Sequence, residues 1–452
     1  MSWGSEQQGQ QRQQGYGYGY GQQVPPQPYG QGYPQYDQGY GPPAQPVQYE
    51  QPWQYVAEEP RAAASNTIQM DPVQAEPRTE PEPEPEPGSV PEPEPGSEPE
   101  PDAGPRPNGG GRDRYFDALR GIALVRVVAY HTFGWAWAGL VFPSMGVMFA
   151  LAGSLMAKSL ERPALKVVKS RMRRLLPPFW FWGFFVVVAM LIHDWMPGWQ
   201  IVFWIVPVGD PPGNQWGIQA WEILWYLRTY LWFVLMSPLL LKVFRKAPLP
   251  VLLLSLAPIL VFQYAWQPPY NRFGSGLTDF ATFLFCWLVG FAHREGVLQR
   301  LKPALVILGS LALLAYGGWY AFAHQTEFGT YDLDEVPVAQ TFWSAGFVTL
   351  LMYFKAYYDV DFAWLARFKR LDRTVTIFNG RAVTIYLWHE IALVLAVPLI
   401  DQFWNVPAFE KWLPLESQWF LFGIGWVLIW VAIPLVGWVE DVAAKKKPKL
   451  LP

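Results

Sequence analysis

Cysteine is nearly absent from this 452-residue chain, and the one present, Cys286, lies inside an apolar run. No disulfide framework can form, and the sequence gives no indication of a redox compartment. Histidine is scarce as well. Its five residues are scattered in none of the close spacings that hold a metal ion, so no metal is expected. A GxSxG elbow, an HExxH pair and a phosphate-binding loop followed by Lys are all missing, which removes the corresponding hydrolase, peptidase and nucleotide-binding classes. Nor do the first hundred residues contain an apolar stretch of the length that a secretory leader or a membrane span needs. The first hydrophobic helix is therefore expected to act as its own insertion signal.

The charge divides the chain in two. Residues 1–105 hold 16 acidic residues against 3 Arg, a net of -13, whereas residues 106–452 hold 21 acidic against 31 basic, a net of +10. Residues 1–56 are rich in Gln, Gly, Tyr and Pro, and residues 80–101 are a run of Glu-Pro repeats. Neither composition buries enough apolar area to offset chain entropy, so 1–105 reads as a disordered, solvated cytoplasmic tail. Residues 106–441 read as a membrane domain, and 442–452, containing KKKPK, as a basic cytoplasmic C-terminal tail.

The fold class expected is an all-α polytopic membrane protein with about ten transmembrane helices. Apolar runs of spanning length place them near 117–140, 143–159, 175–193, 219–241, 249–265, 277–293, 304–323, 338–358, 381–400 and 417–439. The stretch IVFWIVPVG (201–209) is too short to span and is expected to lie at the interface or to re-enter. With the N-terminus cytoplasmic, inside segments carry 23 Lys and Arg, and outside loops only Arg272 and Lys411. That bias predicts both termini inside and an even number of spans. The acidic loop 329–337 then falls outside. Trp195, Trp199, Trp216, Trp266, Trp319, Trp343, Trp404 and Trp412 gather near helix ends, as interfacial anchors do.

The stretch DALRGIALVRVVAYH (117–131) keeps four ionisable groups in an otherwise apolar helix. Groups so placed usually face a polar cavity or a partner. At about 100° per residue, Arg120 and His131 fall within about 20° of one another with a rise of about 16 Å, so they share a face, His131 near mid-membrane. Asp117 lies one turn below Arg120 on the same stripe, while Arg126 sits about 140° from His131 and points elsewhere. His131 also admits a bland reading as a neutral imidazole bridging two helices. In the loop KSRMRRLLPPFW, Arg171 and Arg174 are one turn apart, and a pair of guanidinium forks suits a phosphate. The positive-inside signal explains the same charges, though not their clustering. Late in the chain, RAVTIYLWHEIALV puts Arg381 at a helix mouth, with Tyr386, His389 and Glu390 deeper, in supporting or structural roles.

These three segments, in this order, resemble the acyltransferase-3 family of integral membrane O-acyltransferases. The first resembles its Arg and His separated by ten residues, matched by Arg120 and His131. RMRRLLPPFW resembles its Arg-x-x-Arg motif before a Pro-aromatic turn, matched by Arg171 and Arg174. IYLWHE resembles its Tyr-Leu-Trp-His signature, matched by Tyr386 and His389. The resemblance covers roughly residues 113–440. One position departs from it: where many members have Ser before Gly-Phe, FALAGSL has Ala152, so the second helix reads as a small-residue packing surface.

The resemblance implies an acyl-CoA donor, acetyl-CoA among the candidates, used from the cytoplasmic side of a bacterial plasma membrane. The acceptor it implies is a hydroxyl of a cell-envelope glycan or glycolipid. The residue geometry suits this: Arg120, Arg171 and Arg174 for the donor phosphates, His131 as general base, and Asp117 holding Arg120. No nucleic-acid partner is expected. Three other readings compete. A transporter or flippase would move substrate without consuming thioester and would show paired broken helices. The unrelated membrane-bound O-acyltransferase fold also uses a buried His. A plain membrane anchor leaves the Arg120 and His131 pair unexplained.

Overall fold

A computed structural model describes residues 113–452; the expected tail over 1–105 lies outside the described residues. Among the described residues all regular structure is helical. Asp113 caps the first helix, its carboxylate accepting the backbone N–H groups of Tyr115 and Phe116. The helix, α1 (Arg114–Phe133), ends at Gly134, whose φ of 61° is a left-handed stop that glycine adopts without strain. A short α2 (Ala136–Val141) leads to α3 (Ser144–Ser159), and then to the long α4 (Ala164–Ile192). A 3-10 turn (Trp199–Trp204) precedes α5 (Gln215–Trp221), α6 (Leu224–Lys246), α7 (Pro248–Leu254), α8 (Ala257–Tyr264) and α9 (Arg272–Arg294). There follow α10 (Pro303–Ala323), α11 (Gln325–Phe328), α12 (Pro337–Tyr358), α13 (Lys369–Gly380), α14 (Ala382–Phe403), α15 (Pro407–Trp412), α16 (Gln418–Val436) and α17 (Trp438–Ala443).

Among the described residues seven segments are long and apolar enough to cross a membrane: Ala136–Ser159, Ala164–Ile192, Gly217–Lys246, Arg272–Arg294, Pro303–Ala323, Ala382–Phe403 and Gln418–Val436. The other three expected segments also hold helix, each with a distinguishing feature. The first, α1, carries Arg114, Asp117, Arg120 and Arg126. Residues 249–265 are split into α7 and α8 around Ser255 and Leu256. The third, α12, has the polar start PVAQTFWS. Where a Pro-aromatic turn was expected after Arg174, α4 runs unbroken through Pro177 and Pro178. Its 29 residues extend about 44 Å, more than the roughly 30 Å of a hydrocarbon core, so part of the helix lies beyond it.

The closest helix crossing joins α3 to α9. A Cβ added to Gly153 would lie 2.3 Å from the carbonyl oxygen of Trp287, and one added to Gly290 would lie 2.2 Å from that of Ala150. The two glycines let the backbones touch, which is the packing surface expected of FALAGSL. Around this crossing, Phe149, Phe233, Trp287 and Phe291 are fully buried, with the rings of Phe233 and Trp287 stacked at 4.8 Å. The short stretch 201–209 is a docked 3-10 turn rather than a span. Buried Arg228 pairs with Asp210 and Asp279, and Arg272 donates to the Asp210 carbonyl at 2.6 Å and to Gln200 at 3.1 Å. Of the expected interfacial anchors, Trp199, Trp266, Trp319, Trp404 and Trp412 are exposed, and Trp195 and Trp343 are half-buried. The side chain of Trp216 lies outside the described residues.

Candidate functional site: two cavities that share a wall

Arg120 lies in the second turn of α1, where its guanidinium donates to Asn379 Oδ1 at 2.7 Å and stands 3.8 Å from Asp117 Oδ1. Buried Asp117 also stands 3.9 Å from Arg114, and Asn379 Nδ2 donates to the Asp117 carbonyl at 2.8 Å. The guanidinium is thus held from two sides. Asn379 escaped the sequence reading because an uncharged residue at a helix end carries no signal of its own.

Arg171 and Arg174 face the same cavity as Arg120, a space of about 390 Å³. Arg171 is anchored to α3, donating to the Leu155 carbonyl at 3.2 Å and to Ser159 Oγ at 2.9 Å; Arg174, one turn on, is exposed. Ala152, the departure from the family pattern, lines this cavity, whereas Ser154 is turned to a different partner, His293 Nδ1 at 3.0 Å. The segment after α16 supplies a further part of the wall through Glu440, Asp441, Ala444 and Lys446.

His131 opens into a second cavity of about 140 Å³. It sits in the last turn of α1, three residues before Gly134, rather than midway along an unbroken helix. His131 Nδ1 lies 3.2 Å from Glu390 Oε2, an ion-pair distance at which the carboxylate oxygen still has no aligned hydrogen bond. The ring of His131 meets that of His389 edge-on, with centroids 5.0 Å apart. Fully buried His389 is oriented by Nδ1, 2.7 Å from the Tyr386 carbonyl. If Nδ1 donates there, Nε2 is left as an unprotonated nitrogen, and it has no partner among the described residues. Tyr386 donates its hydroxyl to the Ile223 carbonyl.

Arg120 and His131, expected on one face of α1, therefore line two cavities. They share Val127, Met145, Tyr226 and Tyr386, and the Tyr226 and Tyr386 rings stand 5.4 Å apart within that wall. Arg126, expected to point elsewhere, also faces the His131 cavity. Its Nη1 donates to Asp334 Oδ2 at 3.0 Å, and its guanidinium lies over the Tyr130 ring at 4.8 Å. Tyr130 in turn donates to Asp332 Oδ2 at 3.0 Å. Burial, with Asp334 alongside, pushes the Asp332 carboxyl up to about 6. The loop before α12 thus closes the far end of this cavity with Asp334, Glu335 and Gln340.

His131, His389 and Glu390 also form a group whose donor atoms lie within 4.8 Å of one another, close enough to hold one metal ion. Chain spacing did not reveal this, because one His comes from α1 and the other two residues from α14. Arg381 is fully buried between α13 and α14 and faces away from this group, toward Asp441 at 2.7 Å.

A family model described as an acyltransferase domain matches residues 113–437, so the chain belongs to that family and is an acyltransferase. The match begins at the cap of α1 and ends just after α16, and together with the apolar helices it makes the chain a multi-pass membrane protein. No curated protein and no solved structure matches it.

Proposed function

We propose that this acyltransferase takes an acyl group, acetyl in the simplest case, from acyl-CoA on the cytoplasmic side. It passes the group to a hydroxyl of a cell-envelope glycan or glycolipid at or beyond the outer leaflet. The observation that carries this reading is the pair of abutting cavities, one with Arg120, Arg171 and Arg174 on its wall, the other with His131 backed by Glu390. Guanidinium groups suit the phosphates of CoA, and the bias of Lys and Arg toward one set of loops favours a cytoplasmic opening for their cavity. The thioester then meets the acceptor near the wall of Val127, Met145, Tyr226 and Tyr386.

In the transfer, His131 takes the proton of the acceptor hydroxyl as its oxygen attacks the thioester carbonyl, and CoA leaves as the thiolate and is protonated. With Nδ1–H turned to Glu390, Nε2 is the free base. A small rotation of the ring achieves that alignment, and catalytic hydrogen bonds commonly tighten once substrate is bound. Hydrogen-bonding side chains around the second cavity, among them Tyr130, Gln340 and Asp334, suit a polyhydroxyl acceptor.

The test is acyl transfer by purified protein in proteoliposomes supplied with acetyl-CoA and envelope glycans and lipids. Mass spectrometry of envelopes from cells with and without the gene would identify the acceptor. His131→Ala is expected to abolish transfer and to leave CoA binding in place; full activity of that variant overturns the role given to His131. Substrate movement without consumption of thioester would instead support a transporter.

A further inference from the structure

The segment after α16 lies almost wholly outside the region matched by the acyltransferase family, yet it forms part of the Arg120 cavity. Its path is defined by hydrogen bonds. At the end of α17 the N–H of Lys445 bonds to the Val442 carbonyl at 2.9 Å, and that of Lys446 to the Asp441 carbonyl at 2.8 Å. Lys445 takes the left-handed conformation, φ 58°. This is the helix-ending motif usually built on glycine, and a lysine in it is strained by about 1 kcal/mol. The reversal sends the next residues back over Arg381. There Arg381 Nη2 donates to Asp441 Oδ2 at 2.7 Å and to the Lys449 carbonyl at 2.6 Å, and the Lys449 N–H donates to Asp441 Oδ2 at 3.1 Å. Pro452 packs on Gly380, where an added Cβ would meet its Cγ at 2.7 Å.

The side chain of Arg381 is fully buried, so this contact is a clasp that fixes the segment. Solvated basic residues need no such clasp. Its effect is to set Lys446 into the same wall as Arg120, Arg171 and Arg174. Asp441, a carboxylate on the same wall, is engaged by Arg381.

We infer that residues 438–452 are a strap completing the donor cavity, with Lys446 as a further donor-phosphate ligand and Arg381 and Asp441 as its positioning clasp. This rests on the donor reading of the cavity given above. An ammonium on a flexible stem can meet the outermost phosphate of a donor as a point charge.

CoA binding to the full-length protein, in a neutral detergent free of anionic lipid, tests it. Lys446→Ala is expected to weaken CoA binding about three- to tenfold without lowering turnover at saturating donor, and Lys446→Arg to restore it. Asp441→Asn should weaken binding in the same direction and speed tryptic cleavage after Lys445 and Lys446, and CoA should slow that cleavage in the parent protein. If Arg174→Ala weakens CoA binding and Lys446→Ala does not, the strap is overturned while the donor cavity stands. If Arg174→Ala leaves CoA binding unchanged, the donor reading falls and the strap with it. An effect of Lys446→Ala seen only in anionic nanodiscs would assign the residue to lipid headgroups and overturn the proposal.

Discussion

Arg120 on α1 and Asn379 on α13, the helix that leads into α14, are joined by a 2.7 Å hydrogen bond. Eleven residues beyond Arg120 on α1 stands His131, and His389 stands on α14, ten residues beyond Asn379 and past the break at Arg381; α1 and α14 bring the two rings to 5.0 Å. Glu390 comes with His389 and stands 3.2 Å from His131 Nδ1. A carboxylate in that position fixes the tautomer and supports the positive charge that the ring gains as it takes a proton. Glu390→Gln is therefore expected to lower kcat about ten- to hundredfold while the affinity for CoA stays unchanged, measured by turnover and by direct CoA titration. A rise in donor KM with kcat intact would contradict the assignment.

The shared wall makes a different prediction. If the thioester reaches His131 past Val127, Met145, Tyr226 and Tyr386, bulk placed there should block chemistry and leave the phosphate end of the donor undisturbed. Val127→Trp is expected to reduce turnover by more than about tenfold and to bind CoA as the parent does. Retained activity with acetyl-CoA would show that the acyl group travels by another route.

His131, His389 and Glu390 could ligate a metal, and chelation separates that possibility from base catalysis. Under the base reading, prolonged treatment with a strong chelator leaves acyl transfer unchanged, and elemental analysis of the active protein finds no stoichiometric transition metal. Loss of activity on chelation, restored by Zn²⁺, would move His131 from base to ligand.

Much of this was legible in the sequence, for reasons that differ from residue to residue. Long apolar runs dictate helices, so each expected segment falls on helix. Local spacing also put Arg171 and Arg174 on one cavity, since residues one turn apart share a face. The same geometry reached less far for Arg120 and His131. A shared face on one helix says nothing of what fills the space beside it, and aromatic rings from α6 and α14 divide that space. Arg126 has its counterpart in a loop two hundred residues away, which no periodicity reveals. The role of residues 438–452 was hidden because KKKPK reads as a solvated basic end until Arg381 is seen clasping it.

Glu440 is expected to make the Arg120 cavity, and donor binding there, sensitive to pH. Its carboxylate lies on the cavity wall and accepts the Thr384 N–H at 2.6 Å and the Thr384 hydroxyl at 2.5 Å. Burial outweighs those hydrogen bonds and the nearby Arg381, and pushes the carboxyl up to about 7. The charged groups sharing this cavity with it are Arg120 on α1, Arg171 and Arg174 on α4, and Asp441 and Lys446 beside it, all but Asp441 cationic. Since the group is an acid with a raised value, it is largely neutral below pH 7 and ionised above. An ionised carboxylate facing an anionic donor opposes binding, so the donor KM should rise about two- to fivefold between about pH 6 and about pH 8. Glu440→Gln keeps the shape and the Thr384 contacts and should flatten that profile. Stability carries the same sign. Ionising Glu440 in the folded protein is unfavourable relative to the unfolded chain, an effect absent below about 4.5 and complete above about 7. The Gln variant should accordingly melt higher than the parent at about pH 8 and lose that advantage toward about pH 4.5. A variant whose KM and melting temperature follow the parent at both ends would show that Glu440 does not titrate in this range.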